Sequence, residues 1–193
     1  MRRRIELIAL LLAMGPAAAQ AQMQNQVPMQ GPSPHGATTP SDMSRTQQSM
    51  VDAMASAKPL KITFGQKSAE WTPATLAVLP HKTLTVYNEH SKANETYSGV
   101  PLIDLLKPLG VPDKPRGKDF KIFLVAIGSD DYQVVYSLGE VTPDVHDGTV
   151  LVADTEDGKP IATDGPLKMV ATGEKRPARW VRNLVGIHVL MAP

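Results

Sequence analysis

Short strand-like runs separated by turn dipeptides are the feature that most limits how this chain can fold. Leu60–Phe64 alternates apolar and polar residues, whereas Phe120–Ile127 is almost continuously apolar, as expected of a central strand. Turn dipeptides such as Asp157-Gly158 fall between the runs. The pattern predicts about seven strands. They cover 60–64, 84–87, 120–127, 132–138, 149–153, 167–171 and 184–190.

Helical signals are fewer and shorter than the strand signals. Thr72-Pro73 is typical of a helix start, because threonine caps free amides and proline suits the first helical position. A second helix is predicted over Ile103–Leu109 and ends at Gly110. Because no regular strand–helix alternation appears, we predict an α+β domain with a mixed, mainly antiparallel sheet and few short helices, not a Rossmann fold.

The composition changes sharply near residue 58. All nine aromatic residues lie between Phe64 and Trp180, and 22–57 is rich in Gln, Pro and Met. A segment of this composition buries too little apolar surface to offset its ordering entropy. We therefore predict a disordered linker over 22–57, with at most a short helix near Ser44–Met54, and a folded domain over 58–193.

The first 21 residues have the pattern of a secretory signal peptide. Arg2, Arg3 and Arg4 precede an apolar run that is short for a membrane span, and small residues follow it. Cleavage after Ala19 or Ala21 is expected, and an uncleaved anchor is the alternative. The signal predicts a periplasmic or secreted bacterial protein without a stable membrane span after cleavage.

Charge and cysteine content exclude several classes of function. The signal peptide carries a net +2, so its removal takes the formal net charge from +1 to −1, which gives no indication of nucleic-acid binding. The chain has no cysteine, which excludes disulfides, thiolate zinc sites and thiol nucleophiles. His146-Asp147 is the best local metal cluster, but it reads as a turn, so no metal site is predicted.

Four segments in the second half of the chain together resemble a known family. They are Tyr97-x-Gly99-Val100-Pro101-Leu102-x-x-Leu105-Leu106, the Asp130-Asp131-Tyr132 hairpin, Val150–Ala153 with Asp157–Ile161, and Gly165–Val170 with Arg179-Trp180-Val181 and Ile187-x-Val189. In order and spacing they are similar to the molybdopterin-binding domain of sulfite oxidase-type oxidoreductases. The resemblance covers roughly Tyr97 to Val189. It implies that family's α+β fold and makes molybdopterin the candidate cofactor.

The resemblance also shows what this chain lacks. The family binds molybdenum through a cysteine that precedes the Tyr97-like segment, and Val86–His90 stands there without a thiolate. The leading hypothesis is therefore an exported ligand-binding or accessory module, with enzymatic activity left open. One alternative is a periplasmic oxidoreductase that holds its cofactor without cysteine ligation. Another is a copper-binding protein that uses the methionines of the linker, at positions 23, 29, 43, 50 and 54.

The candidate binding residues come from the resemblance. It implies that Arg179 contacts the pterin or its phosphate, with Lys175 and Arg182 nearby and Gly165 shaping the pocket. The hairpin contributes Tyr132, and the stretch at the missing cysteine contributes Asn88 and His90. A solvated basic loop balanced by Glu174 is the alternative reading of the cationic group. The expected partner is a small phosphorylated or pterin-like ligand, or a periplasmic protein.

Overall fold

A computed structural model describes residues 57–161 and 163–193, together with Arg45, Gln48 and Asp52. The predicted signal peptide and nearly all of the predicted linker, including the five methionines of the copper hypothesis, lie outside the described residues. None of the helices among the described residues has the length and apolar character that a membrane crossing requires.

Ten strands in the described residues form two five-stranded sheets. The first, sheet A, has the order β2-β1-β10-β5-β6. Only β1 and β10 run parallel, and every other pair in the sheet is antiparallel. The strands are β1 (Leu60–Phe64), β2 (Lys67–Trp71), β5 (Ile122–Gly128), β6 (Gln133–Ser137) and β10 (Leu184–Met191).

Sheet B is antiparallel throughout and is built around one long strand. That strand, β7 (Val150–Glu156), pairs with β4 on one side and with β8 and β9 on the other. A β-bulge at Asp154 interrupts the β4–β7 register, because Ser98 faces Thr155 and Gly99 faces Ala153. The remaining strands are β3 (Lys82–Asn88), β4 (Ala93–Pro101), β8 (Lys159–Pro160) and β9 (Lys168–Ala171).

Three short helices complete the fold within residues 57–161 and 163–193: α1 (Pro73–Leu76), α2 (Leu102–Leu106) and α3 (Leu138–Val141). Thr72 caps α1 as predicted, since its side chain accepts a hydrogen bond from the Thr75 amide at 3.1 Å. After α2 the chain makes a 3₁₀ turn, Lys107–Leu109, which ends at Gly110 in the left-handed conformation (φ 85°).

One core lies between the sheets and α2. It combines Leu60 and Ile62 of sheet A, Val152 and Met169 of sheet B, and Leu105 of α2, all 0–1% exposed. The predicted α+β class with mainly antiparallel sheets is confirmed. The prediction that Phe120 begins a strand is wrong, because residues 117–121 form a 3₁₀ turn and β5 starts at Ile122.

Candidate functional site

A cavity of about 440 Å³ opens beside β9, where several loops converge. Two of these loops follow strands: the β3–β4 turn and the β5–β6 hairpin turn. Two more flank β9, before and after it in the chain. The cavity is lined by Asn88, His90, Asp130, Tyr132, Asp164, Lys168, Pro177, Ala178, Trp180 and Arg182.

Four of the seven predicted site residues share this cavity: Asn88, His90, Tyr132 and Arg182. Asn88 closes β3, and its side-chain oxygen accepts a hydrogen bond from the His90 amide at 2.9 Å. The Tyr132 hydroxyl donates to the Ala178 carbonyl, which fixes the hairpin against the opposite wall. The tyrosine ring remains 46% exposed.

A buried lysine lies in the cavity wall. Lys168 is 5% exposed, and its ammonium donates to Asp164 Oδ2 at 2.5 Å and to the Tyr97 hydroxyl at 2.8 Å. The same Nζ lies 4.8 Å from the centre of the Tyr97 ring and 5.5 Å from that of Trp180. Carboxylate, hydroxyl and two aromatic faces therefore hold this ammonium in place of water.

Two glutamates contact the same Tyr97 hydroxyl that accepts from Lys168. The Tyr97 hydroxyl is 2.8 Å from Glu95 Oε2 and 2.9 Å from Glu156 Oε1. Burial and these two carboxylates raise the pKa of Tyr97 far above its usual value, so the phenol stays protonated. Burial opposes the charge on Glu95, but hydrogen bonds from Ser91, Asn88 and Tyr97 outweigh it and lower the pKa of that carboxyl.

Trp180 forms a fixed part of the cavity wall. Its indole N–H donates to the Ala171 carbonyl at 2.9 Å, and its ring meets Tyr97 edge to face with centroids 5.6 Å apart. The residue is 7% exposed. Trp180 is therefore both a core aromatic, as sequence reasoning favoured, and a lining residue of the cavity.

Arg179 does not line the cavity. Its guanidinium donates to Glu140 at 2.8 Å, pairs with Glu174 and lies 4.5 Å from the centre of the Tyr136 ring. The Tyr136 hydroxyl in turn donates to the Arg179 carbonyl at 2.8 Å. These contacts attach the segment after β9 to β6 and α3. Because that segment forms one wall of the cavity, Arg179 positions the wall and does not line the cavity itself.

The other two predicted residues also lie outside the lining. Lys175 is exposed and makes no ion pair within the described part of the chain. Gly165 adopts φ +80°, and a Cβ there would fall 1.8 Å from Asn183 Oδ1. That close approach requires glycine and sets the turn that presents Asp164. Binding of a ligand by any of the seven residues stays a prediction.

Sequence reasoning missed the charged core of the site. Asp130 and Lys168 stand within the motifs that carry the family resemblance, and Asp164 directly precedes one, yet none was named as a site residue. Tyr97 was named only as the first residue of such a motif. The signal in the sequence was a lysine flanked by apolar residues in a predicted strand, Leu167-Lys168-Met169. A lysine in such a setting is rarely buried without a partner.

The residues at this cavity do not fit a molybdenum cofactor. A centre of the family type needs a thiolate, and the chain has no cysteine. A phosphorylated pterin also needs unpaired cations. Lys168 is bonded to Asp164, Arg182 lies 3.8 Å from the same carboxylate, and Arg179 has two glutamate partners. Among residues 57–161 and 163–193, no group of three or more His, Asp or Glu side chains is arranged to hold a metal ion.

The chain is similar in fold to a solved structure, the sulfane dehydrogenase SoxCD from Paracoccus pantotrophus. The TM-score is 0.53 at 23% sequence identity. The matched region covers 68% of this chain but 38% of the SoxCD chain. No protein-family model matches the sequence, and no curated protein matches it significantly. The structural similarity and the two mainly antiparallel sheets confirm the predicted α+β fold class.

Proposed function

We propose that this protein is a binding or accessory module that takes a small pterin-like molecule into the cavity and performs no molybdenum chemistry. One observation carries the proposal. The loops of a sulfite oxidase-type fold converge on a cavity of about 440 Å³, which is of ligand size, while the sulfur ligand for the metal is absent from the sequence. The fold thus offers a pocket without the means to anchor molybdenum in the family's way.

The charges favour recognition of the ligand's ring over recognition of a phosphate. Asp164 offsets much of the positive charge of both lining cations, because it lies 2.5 Å from the Lys168 ammonium and 3.8 Å from the Arg182 guanidinium. The Asp130 carboxylate accepts a hydrogen bond from the Tyr132 amide at 3.2 Å. It forms no ion pair within the described part of the chain. A carboxylate in this state can accept two adjacent N–H donors, such as those on the amino-pyrimidinone edge of a pterin.

The aromatic wall supports the same ligand. The Tyr132 ring is exposed and held by its hydroxyl, so it offers a fixed face for stacking at little entropic cost. Asn88 and His90 supply further polar groups at the mouth. A planar heterocycle with N–H donors along one edge would suit this site. Its donors would meet the unpaired carboxylate of Asp130, and its ring would stack on Tyr132.

Titration with biopterin, followed by its fluorescence, tests the proposal. We expect saturable binding that Asp130→Asn weakens about tenfold to a hundredfold, the range for a lost hydrogen bond to a charged group. Asp147→Asn, an exposed acid outside the cavity lining, should bind like the parent protein. Inorganic phosphate should not compete.

Two outcomes would contradict the proposal. One is the absence of saturable biopterin binding by a folded protein. The other is stoichiometric molybdenum in protein purified from a host that makes the cofactor, which elemental analysis would detect.

Export to the periplasm is a separate part of the proposal and rests on the signal-like sequence of residues 1–21. In a bacterial host we expect the mature protein to begin at Gln20 or Gln22, as read by mass spectrometry of the intact chain. Retention of Met1 or Arg2 in the mature protein would rule this out.

A further inference from the structure

The face of sheet A that points away from the core carries an apolar strip. Along β5, Phe123, Val125 and Ile127 alternate with core residues and point outward, and all three are half-buried. Val135 of β6 faces Val125, and Leu190 of β10 faces Phe123. These two side chains are 54% and 44% exposed. We call these five residues the outer strip.

The outer strip is unlike the rest of the same face. Across β10 and β1, the row that begins at Val125 continues with His188 and Thr63, whose side chains share a hydrogen bond of 2.9 Å. The next row continues from Ile127 to Gly186 and Lys61. A sheet face in contact with water normally alternates polar residues with the buried ones, so an apolar centre with a polar border is typical of a covered surface.

The chain itself contains a segment suited to cover the strip. Arg45, Gln48 and Asp52 are helical, and all three are exposed. Gln48 donates to Asp52 at 3.1 Å, a contact between residues one helical turn apart. Exposure of all three means that their side of the helix faces water.

The sequence puts apolar residues on the opposite side. At about 100° per residue, Arg45, Gln48 and Asp52 share one side of a helix. Met43, Met50 and Met54 follow a spacing of seven and then four residues, which places them together on the other side. Methionine is flexible and polarisable, so a row of methionines adapts well to an uneven apolar surface.

The connection to the domain is long enough. Met54 lies six positions before Leu60, where β1 begins, and this stretch of chain spans up to about 20 Å when extended. β1 and β5 are separated by one strand, β10, and therefore by about 10 Å. Leu60 also lies near the end of the sheet that holds Ile127, since Lys61 faces Gly186 and Gly186 faces Ile127.

From this juxtaposition we propose that residues 43–54 dock as an amphipathic helix on the outer strip, with the three methionines packed against Val125 and its neighbours. The docked helix extends the folded unit beyond the strands and gives these methionines a packing role. It is independent of the ligand proposed for the cavity.

The absence of cysteine makes a direct test available in the full-length protein. Val125→Cys combined with Met50→Cys would introduce a single pair of thiols. After mild oxidation we expect an intramolecular disulfide, identified by peptide mass. The matched control combines Val125→Cys with Arg45→Cys, which lies on the exposed side of the same helix and should form the bond many-fold less. If Val125→Cys does not fold, Val135→Cys serves as the anchor, because Val135 is more than half exposed.

Three results would overturn the proposal: equal cross-linking of Met50→Cys and Arg45→Cys, no cross-link with either, or disulfides only between two chains. The last would assign the strip to a second copy of the protein. A companion measurement uses Met50→Asp in the otherwise unchanged chain. We expect this variant to bind more of a dye specific for exposed apolar surface than Arg45→Asp does.

Discussion

The Tyr97 hydroxyl has one proton to donate but has three charged neighbours, and it lies at the centre of the buried part of the site. It accepts from the Lys168 ammonium and lies within hydrogen-bond distance of both Glu95 and Glu156. One positive charge therefore serves three nearby carboxylates, those two and Asp164. Such a network is costly to break because Tyr97 is buried and the three carboxylates are partly buried, and they would lose their central cation.

We expect Lys168→Met to lower the free energy of unfolding by about 3–5 kcal/mol, since it leaves several carboxylates without their shared cation. Urea denaturation measures the change. Lys107→Met is the matched control, because Lys107 pairs with Asp104 at the surface, and a loss of about 1 kcal/mol or less is expected there. Equal losses of unfolding free energy in the two variants would show that the buried network stabilises the protein no more than a surface ion pair does.

His81 provides a second prediction at this scale. Its Nδ1 lies 2.7 Å from the Leu79 carbonyl, which can only accept, so Nδ1 carries a proton. Its Nε2 lies 2.9 Å from Asp154 Oδ2, and a proton is needed there too. Burial opposes the charged imidazolium, but the hydrogen bonds to Asp154 and Leu79 and the charge of Asp154 outweigh it and raise the pKa of His81.

Because the folded-state pKa of His81 is raised, its contribution to stability is complete below the unfolded value of about 6.5 and is lost as the pH rises through the folded value. We expect the parent protein to lose more unfolding free energy than His81→Gln between about pH 6 and about pH 9. Denaturant titrations of both proteins at the two pH values measure this difference. Parallel pH profiles would contradict the assignment.

Among the elements, the segment after β9 is held in place by several side-chain hydrogen bonds. Tyr132, Tyr136 and Arg179 attach it to the β5–β6 hairpin and to α3, and Trp180 attaches it to β9. These bonds set the width of the cavity between the segment and the hairpin. Arg179 was predicted as a ligand contact, and in the structure it makes ion pairs that position this wall.

A double-mutant cycle tests the positioning role of Arg179. We expect Arg179→Met and Glu140→Gln to be non-additive, with a coupling energy of about 1 kcal/mol for this half-exposed pair. Hydrogen exchange should accelerate in residues 174–182 of the Arg179→Met protein, with little change in β7. Additive effects and unchanged exchange would show that the ion pair does not hold the wall.

The elements that sequence reasoning found and missed differ in physical kind. β1 and β10 were predicted because one face of each is buried, which imposes alternation. β2 was missed because Lys67–Trp71 is an edge strand with no fully buried residue. The first half of β4 was not predicted, because Ala93 and Asn94 are exposed and give no apolar alternation. Backbone pairing with a neighbour defines such strands, and single-residue hydropathy does not record it.

The site shows the same limit at longer range. Asn88, His90, Tyr132 and Arg182 were placed together through the family resemblance, and the cavity unites them. The bond between Lys168 and Tyr97 joins residues 71 positions apart, and that between Arg179 and Glu140 joins residues 39 apart. Of the partners of Arg179, sequence reasoning named only the nearby Glu174. Which cation pairs with which carboxylate depends on packing, so composition alone left these residues as a general basic cluster.

At the scale of the whole molecule, the two sheets share one core and should unfold together. Leu60 of β1 and Met169 of β9 belong to the same buried cluster, together with residues of α2. Neither sheet buries its inner face without the other. Domains of this size with a single core usually unfold in one cooperative step.

The two tryptophans allow this cooperativity to be measured. Trp71 lies in β2 of sheet A, whereas Trp180 packs beside β9 of sheet B. In the single-tryptophan proteins Trp71→Phe and Trp180→Phe, we expect the fluorescence midpoint in urea to coincide with the midpoint from circular dichroism of the same variant. Separate midpoints for the two probes would indicate that the sheets unfold independently.

The parallel pairing of β1 and β10 bears on the order in which the protein can fold. β10 lies between β1 and β5, and the hydrogen bond between Thr63 and His188 joins residues 125 positions apart. A nascent chain that has been synthesised only as far as β9 still lacks β10, the central strand of sheet A. One edge of β1 therefore stays unpaired until β10 is made. Closing so long a loop is slow, because entropy is lost before the contacts that reward it are made. β10, which follows the other described strands in the chain, is thus the strand that commits the rest of sheet A to its native arrangement.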